Sequence, residues 1–411
     1  VTPFDPVQVR SEIPLLARTV HDRPVIYLDS AATSLTPQRV ITAMSTYYQR
    51  SHANVHRAVY VTAEEATALY EGGRRDVGLF LGSTHPDEEI VFTKNATEAF
   101  NLFAKSWGRA NLERGDVVVL SQMEHHANIV PWFQLRDEIG IEIKFLGVTD
   151  DFRLDLSRFD ELLEGAKLLS ITGMSNVLGT INPLRELTQR AHAFGALVLV
   201  DASQSAAHGP TDVVDLDVDA LICTGHKMLG PTGIGVLWAR REILAAMPPF
   251  LGGGGMIADV SVDGFTPASG VTKFEAGTPP IAEAAGLGEA VRYLRELGME
   301  AIATYEKGLT DDAIARLAHE FSGRVRIIGP TDGVARGGVL SLDVEGVHPH
   351  DVAQVLDQFG VCIRPGHHCA KPLMKRFSLA ATARVSFGPY SLQSDTNILI
   401  ESLHHALELF G

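Results

Sequence analysis

The chain has 411 residues, more than one ordinary core accommodates, so a large and a small domain are expected. Hydrophobic residues make up 45% and charged residues 21%, enough apolar material for a substantial core. A formal net charge of -15 repels nucleic acid and anionic membrane and sets both aside as partners.

The start, VTPFDPVQVRSEIP, carries Pro and charge where a signal peptide needs an apolar run, and no run approaches the roughly 18 apolar residues of a membrane span. Short β-branched runs then recur at 25–29, 89–93, 116–121, 142–147, 167–172, 196–201, 219–224 and 234–238 and are predicted strands. Helical spacing at 96–107, 127–139 and 184–194 alternates with them. That alternation predicts an α/β large domain, a mostly parallel sheet sandwiched by helices, over 23–285. Residues 252–280 look like a long loop. A helical stretch at 282–321, strands at 324–328, 338–344 and 362–364, a helix near 350–359 and another from about 393 predict a smaller α+β domain over 286–411. The segment 1–22 is expected to join it.

Polar residues cluster just after the strands, where open α/β sheets bind ligands. ALVLVDASQ runs a buried strand into Asp201, with Gln204 three residues on. Asp201 is either a helix cap or the partner of a protonated pyridine nitrogen. In CTGHKMLGPTGIG, Lys227 follows an apolar run and precedes a Gly/Pro turn; burial there lowers its pKa and frees the amine for a Schiff base. Thr97 opens a helix after a strand, as a plain cap or as part of a phosphate site. His125 and His126 end another strand; H-E-x-x-H is absent, and an imidazole stacked on an aromatic cofactor fits better than a metal. GPTGIG lacks the dinucleotide-binding spacing. Four strand ends thus offer a phosphate site, a ring cover, a ring-nitrogen acid and a Schiff-base lysine.

With YLDSAAT, MEHHANIVPW, SNVLG, VDASQ, CTGHK, FEAGTP and RPGHHCA in order, the chain resembles the class V aminotransferase family of fold-type I pyridoxal 5'-phosphate enzymes. Within it, the chain is most similar to group II (SufS-type) cysteine desulfurases. The resemblance implies that Lys227 forms the Schiff base, Asp201 binds the pyridine nitrogen, Gln204 meets the ring oxygen and His125 stacks over the ring. It places Thr97, Thr224 and His226 on the phosphate, with Thr278 arriving from the second subunit of a homodimer. Asn176 and Arg384 would orient the substrate carboxylate, and His56 and Arg57 would line the entrance. Two departures stand out: VSFGPYS follows Arg384 where relatives often have Tyr-Asn, and Thr224 stands where Ser is usual.

Three cysteines without a CxxC pair argue for a reducing cytoplasm. Cys362 and Cys223 lie in strand patterns and are expected in the core. Cys369 is flanked by Arg364, His367 and His368, whose positive charge would favour a thiolate. By resemblance, Cys369 takes sulfur from L-cysteine as a persulfide, leaves L-alanine, and passes the sulfur to a SufU-type or SufE-type acceptor for iron–sulfur cluster assembly. His350 in HPHD resembles a residue that engages the zinc of a SufU-type acceptor; a helix-start histidine without a role is the alternative. No resident metal is expected. The rival readings are a selenocysteine lyase or another class V enzyme, a non-catalytic cofactor-binding scaffold, and a zinc hydrolase built on the histidines.

Overall fold

A computed structural model describes residues 4–56, 58–332 and 335–410. Seven strands form the central sheet: β1 (Ile90–Thr93), β2 (Val117–Ser121), β3 (Glu142–Leu146), β4 (Ala166–Thr172), β5 (Leu197–Asp201), β6 (Ala220–Thr224) and β7 (Gly235–Ala239). Their order is β1-β7-β6-β5-β4-β2-β3. β7 runs antiparallel to both of its neighbours, and the other pairs are parallel. β1, β2, β6 and β7 are buried at every residue, because helices cover both faces and a parallel sheet tolerates no polar side. The predicted α/β class holds.

Helices α1 (Gln38–Arg50), α2 (Val61–Phe80), α3 (Ala96–Phe103), α4 (Val130–Ile139) and α5 (Leu184–Ala193) belong to this unit, together with α6 (Ile281–Leu297). α6 crosses α2 so closely that a Cβ at Gly73 would stand 2.3 Å from the carbonyl oxygen of Ala284. The second sheet is antiparallel, in the order β8-β9-β11-β10, from β8 (Val325–Ile328), β9 (Val339–Val344), β10 (Arg364–Gly366) and β11 (Thr382–Ser386). Its apolar face is covered by α7 (Met299–Phe321), α8 (Pro349–Gln358) and α9 (Gln393–Phe410).

Several elements differ from the sequence reading. Only Ile26–Tyr27 of the 25–29 run is a strand; it pairs in parallel with Val361–Cys362 rather than joining the large sheet. The 252–280 stretch holds an exposed hairpin, Ile257–Ser261 against Gly264–Pro267. The helical stretch 282–321 is broken at Gly298. The departure VSFGPYS is a packing feature: Phe387 and Tyr390 are fully buried, and the Tyr390 hydroxyl meets Ser30 Oγ at 2.8 Å and accepts from the Leu35 N–H.

One buried ion pair fixes the segment that carries Thr278. The Arg74 guanidinium, 1% exposed, donates to both Glu275 oxygens at 2.8 Å. Glu275 also accepts from Tyr70 Oη and the Phe92 N–H. Arg74 also donates to Glu71 Oε2 at 2.7 Å, so removing the Glu275 charge leaves this buried guanidinium one carboxylate instead of two. Glu275→Gln is expected to lower stability by about 2 kcal/mol in denaturant unfolding, the worth of charge-assisted hydrogen bonds; an unchanged midpoint would contradict this role.

Candidate active site

The C-terminal ends of β1, β2, β4, β5 and β6 converge on a cavity of about 210 Å³, and loops from the second sheet close it. Thr97, His125, Asn176, Asp201, Gln204, Thr224, His226, Lys227, Arg364, Cys369 and Arg384 all line it. Thr278 and His56 lie elsewhere, together on a neighbouring cavity of about 480 Å³. Arg57 is outside the described residues. His350 stands exposed at the head of α8, its ring stacked on His348.

α3 presents its N-terminus to this cavity. Asn95 caps it, accepting from the Glu98 N–H at 2.9 Å, which leaves the N–H groups of Ala96 and Thr97 without intrahelical partners. This arrangement depends on Gly235: a Cβ there would lie 2.3 Å from the Asn95 carbonyl carbon. Thr224, at the end of β6, and His226 stand beside it. Burial, and then the charge of Lys227, push His226 down to about 4. The positive pole of the helix with these hydroxyl and imidazole groups is a set suited to an anion.

Lys227 sits in a short 3-10 turn after β6, half-buried, and lines the cavity. Burial lowers its pKa to about 8, with Asp201 acting in the opposite sense and Arg384 reinforcing the fall. Asp201 is 5% exposed at the end of β5, with one oxygen held by the Ser203 N–H at 2.9 Å. Gln204 donates to the Ala31 carbonyl and leaves its buried Oε1 with no partner among the described residues. An orphaned acceptor on a cavity wall is costly unless a ligand donates to it. His125 is driven to about 4, chiefly by burial and then by Lys227; its Nδ1 accepts from the Ala127 N–H, so the neutral ring carries its proton on Nε2.

The opposite wall comes from the second sheet. Arg364 on β10 and Arg384 on β11 stand in register, two like charges side by side. Asp29 lies between them, accepting from Arg384 Nη2 at 3.3 Å and from Arg364 Nε at 3.1 Å. Arg384 is 2% exposed, its Nη1 donates to the Asn176 carbonyl, and its Nε has no partner among the described residues. Two guanidiniums share one carboxylate, so this wall keeps a net positive charge toward the cavity.

Cys369 is exposed at the cavity mouth, whereas Cys223 is fully buried and pushed up to about 12, and Cys362 is half-buried against the core. Cys223 lies in the core as the sequence reading expects, whereas Cys362, also expected there, is only half-buried. One expected contribution fails: burial and Arg384 drive His368 to about 3, so this imidazole adds no positive charge beside the thiol at neutral pH. Sequence reasoning passed over Asp29, although the acid ending the YLD run carries the same signal as Asp201. It also gave His126 no role. Among the described residues, no three His, Cys, Asp or Glu side chains converge as metal ligands, and no helix is long and apolar enough to cross a membrane.

A family model for class V aminotransferases matches residues 26–399. A protein of Streptomyces coelicolor named probable cysteine desulfurase is 48% identical over 414 aligned residues, covering 99% of this chain and 98% of that protein. A cysteine desulfurase of Haloferax volcanii is 42% identical and covers 100% of this chain and 98% of the relative. Among solved structures, the apo cysteine desulfurase of Thermococcus onnurineus superposes with a TM-score of 0.91 at 40% identity, covering 98% of this chain and 97% of that one. An Escherichia coli cysteine desulfurase also gives 0.91, at 37% identity, with 99% of this chain and 100% of that chain covered.

The lowered pKa of Lys227 has a signed consequence. Below about 8 the amine is charged in both folded and unfolded chains, and its burial penalty is present in full. As pH rises from there toward the unfolded value of about 10.4, the folded chain gives up the proton first and the penalty is relieved. Cofactor-free Lys227→Met is therefore expected to be more stable than the unsubstituted protein at pH 7, with the gap closing as pH rises toward 10. Paired denaturant unfolding curves across that range measure it; a gap independent of pH would contradict the assignment.

Proposed function

The chain belongs to the class V aminotransferase family and is a cysteine desulfurase, and we propose that its cavity holds pyridoxal 5'-phosphate at Lys227 and delivers the substrate sulfur to Cys369. The observation that carries this reading is the convergence of a lysine lowered to about 8, a buried acid, a free helix N-terminus and an exposed thiol on one cavity. The N–H groups of Ala96 and Thr97, with the side chains of Thr97, Thr224 and His226, suit the phosphate. Asp201 suits the ring nitrogen, the orphaned Gln204 oxygen suits the ring hydroxyl, and neutral His125 suits the ring face. When bound, this cofactor supplies an electron sink for bond breaking at the Cα of an amino acid.

The chain's own groups perform the remaining steps. Arg384, with its unpaired Nε, and Asn176 hold the carboxylate of L-cysteine, and Arg364 adds charge at the rim. The Lys227 amine takes the proton from Cα, since its pKa lies close to working pH. The Cys369 thiolate attacks the substrate sulfur. The new S–S bond forms as the C–S bond breaks; the bonding pair returns to carbon, which takes a proton. L-Alanine and a Cys369 persulfide are the products, and atoms and electrons balance without a further reactant.

The exposed position of Cys369 supports transfer of the persulfide to an acceptor protein, SufU-type or SufE-type, for iron–sulfur cluster assembly. Exposed His350 is the candidate contact for a zinc-bearing acceptor. Thr278 and His56 lie on a second cavity beside the hairpin segment, which supports a homodimer in which one copy completes the other's phosphate site. Sparse free cysteines suit a cytoplasmic setting.

With pyridoxal 5'-phosphate, the purified protein is expected to be yellow and to form alanine from L-cysteine. Lys227→Ala removes the visible band and brings alanine to background. Cys369→Ser keeps the band, and neither alanine nor a persulfide trapped by alkylation and mass spectrometry rises above background. Colour without alanine in the unsubstituted protein would end the desulfurase reading and leave the fold intact. His350→Ala is expected to keep alanine formation and lose sulfur transfer to a zinc-containing acceptor; unchanged transfer would remove His350 from that contact.

A further inference from the structure

The loop that carries Cys369 is held in a conformation it does not adopt freely. His368 and Cys369 both lie in the left-handed region, at φ 50° and 54°. Side-chain-bearing residues avoid that region, and consecutive ones persist there only where the surroundings over-determine them. Two of the determining contacts are internal: His367 Nδ1 accepts from the Cys369 N–H at 3.1 Å, and the His367 carbonyl accepts from the Ala370 N–H at 3.0 Å. Asn176 donates to the His368 carbonyl at 2.8 Å.

The His368 ring also meets Thr382 Oγ1 at 2.9 Å, and two further contacts come from a single residue of the large unit. The His126 N–H donates to the Cys369 carbonyl at 2.8 Å, and His126 Nε2 accepts from the Lys371 N–H at 3.0 Å. His126 therefore grips the chain at the cysteine and two residues beyond it. It also follows His125 directly on the turn after β2, so the thiol loop is fastened to the same turn that presents His125 to the cavity. An Nε2 acceptor requires a neutral ring. Burial, then His367 and Lys371, lower its pKa and favour that form, and the His367 and His125 rings lie at 5.8 and 6.2 Å.

We propose that His126 is a positioning residue whose two hydrogen bonds hold the Cys369 loop in register over Lys227. The proposal rests on the reading of Cys369 as the sulfur acceptor. His126 touches neither cofactor nor substrate in this account; it acts through the backbone on either side of the thiol.

Two variants of the full-length, cofactor-loaded enzyme test it. His126→Ala keeps the main-chain bond and removes the side-chain acceptor. His126→Gln places an amide oxygen near the lost Nε2 and restores an acceptor. The cofactor's visible band is expected to be unchanged in both, since His125 is untouched. In His126→Ala, amide hydrogen exchange across 367–371 should rise about tenfold, the worth of one hydrogen bond. The kcat for alanine should fall by a similar factor, with KM for L-cysteine within about twofold of the unsubstituted value. His126→Gln should recover both. Should His126→Ala fail to fold, His126→Asn, too short to reach Lys371, takes its place. Unchanged exchange and kcat in the acceptor-less variant, or equal impairment in His126→Gln, would overturn the proposal. If the unsubstituted protein forms no alanine, the sulfur-acceptor reading fails, while the exchange comparison still decides whether His126 fastens the loop.

Discussion

Two arginines in register on adjacent strands, sharing one carboxylate, are the constraint around which the cavity is organised. Left alone, the Arg364 and Arg384 side chains would repel, and Arg384 is almost completely withdrawn from water. Asp29 makes that burial tolerable by accepting from both. It offsets only one of two charges, and the surplus marks this wall for an anion. The carboxylate of an amino acid fits that surplus, whereas a neutral amine or a thiol alone would not. Burial is the larger cause of the lowered His368 and Lys227 values, and the same arginine field adds to both.

The large sheet supplies the other wall by a different principle. Strands β1, β2, β6 and β7 are buried at every residue, so the polar groups they offer fall at their ends. The antiparallel insertion of β7 leaves the ends of β1 and β6 on the same edge as those of β2, β4 and β5. Gly235, where β7 begins, permits the α3 N-terminus to approach that edge. Helix dipole, buried acid and lysine are thus brought within one small volume by topology, and side-chain chemistry only finishes the site.

Most of the large sheet was legible in the sequence, because buried strands are unbroken β-branched runs and their polar ends stand out against them. The exposed hairpin at 257–267 was not legible: its side chains face solvent, its pattern carries no buried face, and a Gly-rich approach reads as loop. Residues 38–80 gave no clear punctuation, although α1 and α2 form the bed on which α6 packs. Lys227 and Asp201 followed from physical reasoning on strand ends. Arg384 and Asn176 came through family resemblance alone, since nothing local distinguishes an arginine in an alternating strand from a solvated one. Asp29 ends an apolar run as Asp201 does, but that signal gives no hint of its partner, which lies 355 residues away.

That separation bears on how the molecule comes to exist. Loop closure over hundreds of residues is entropically slow, and contacts of that range form late. During synthesis, the large sheet can gather while β11 is still unmade, but the arginine wall and the cysteine loop arrive only with the last part of the chain. A nascent chain can therefore possess the lysine end of the cavity before it possesses the thiol end. Synthesis thus presents the Asp201 and Lys227 segments well before the segment that carries Cys369.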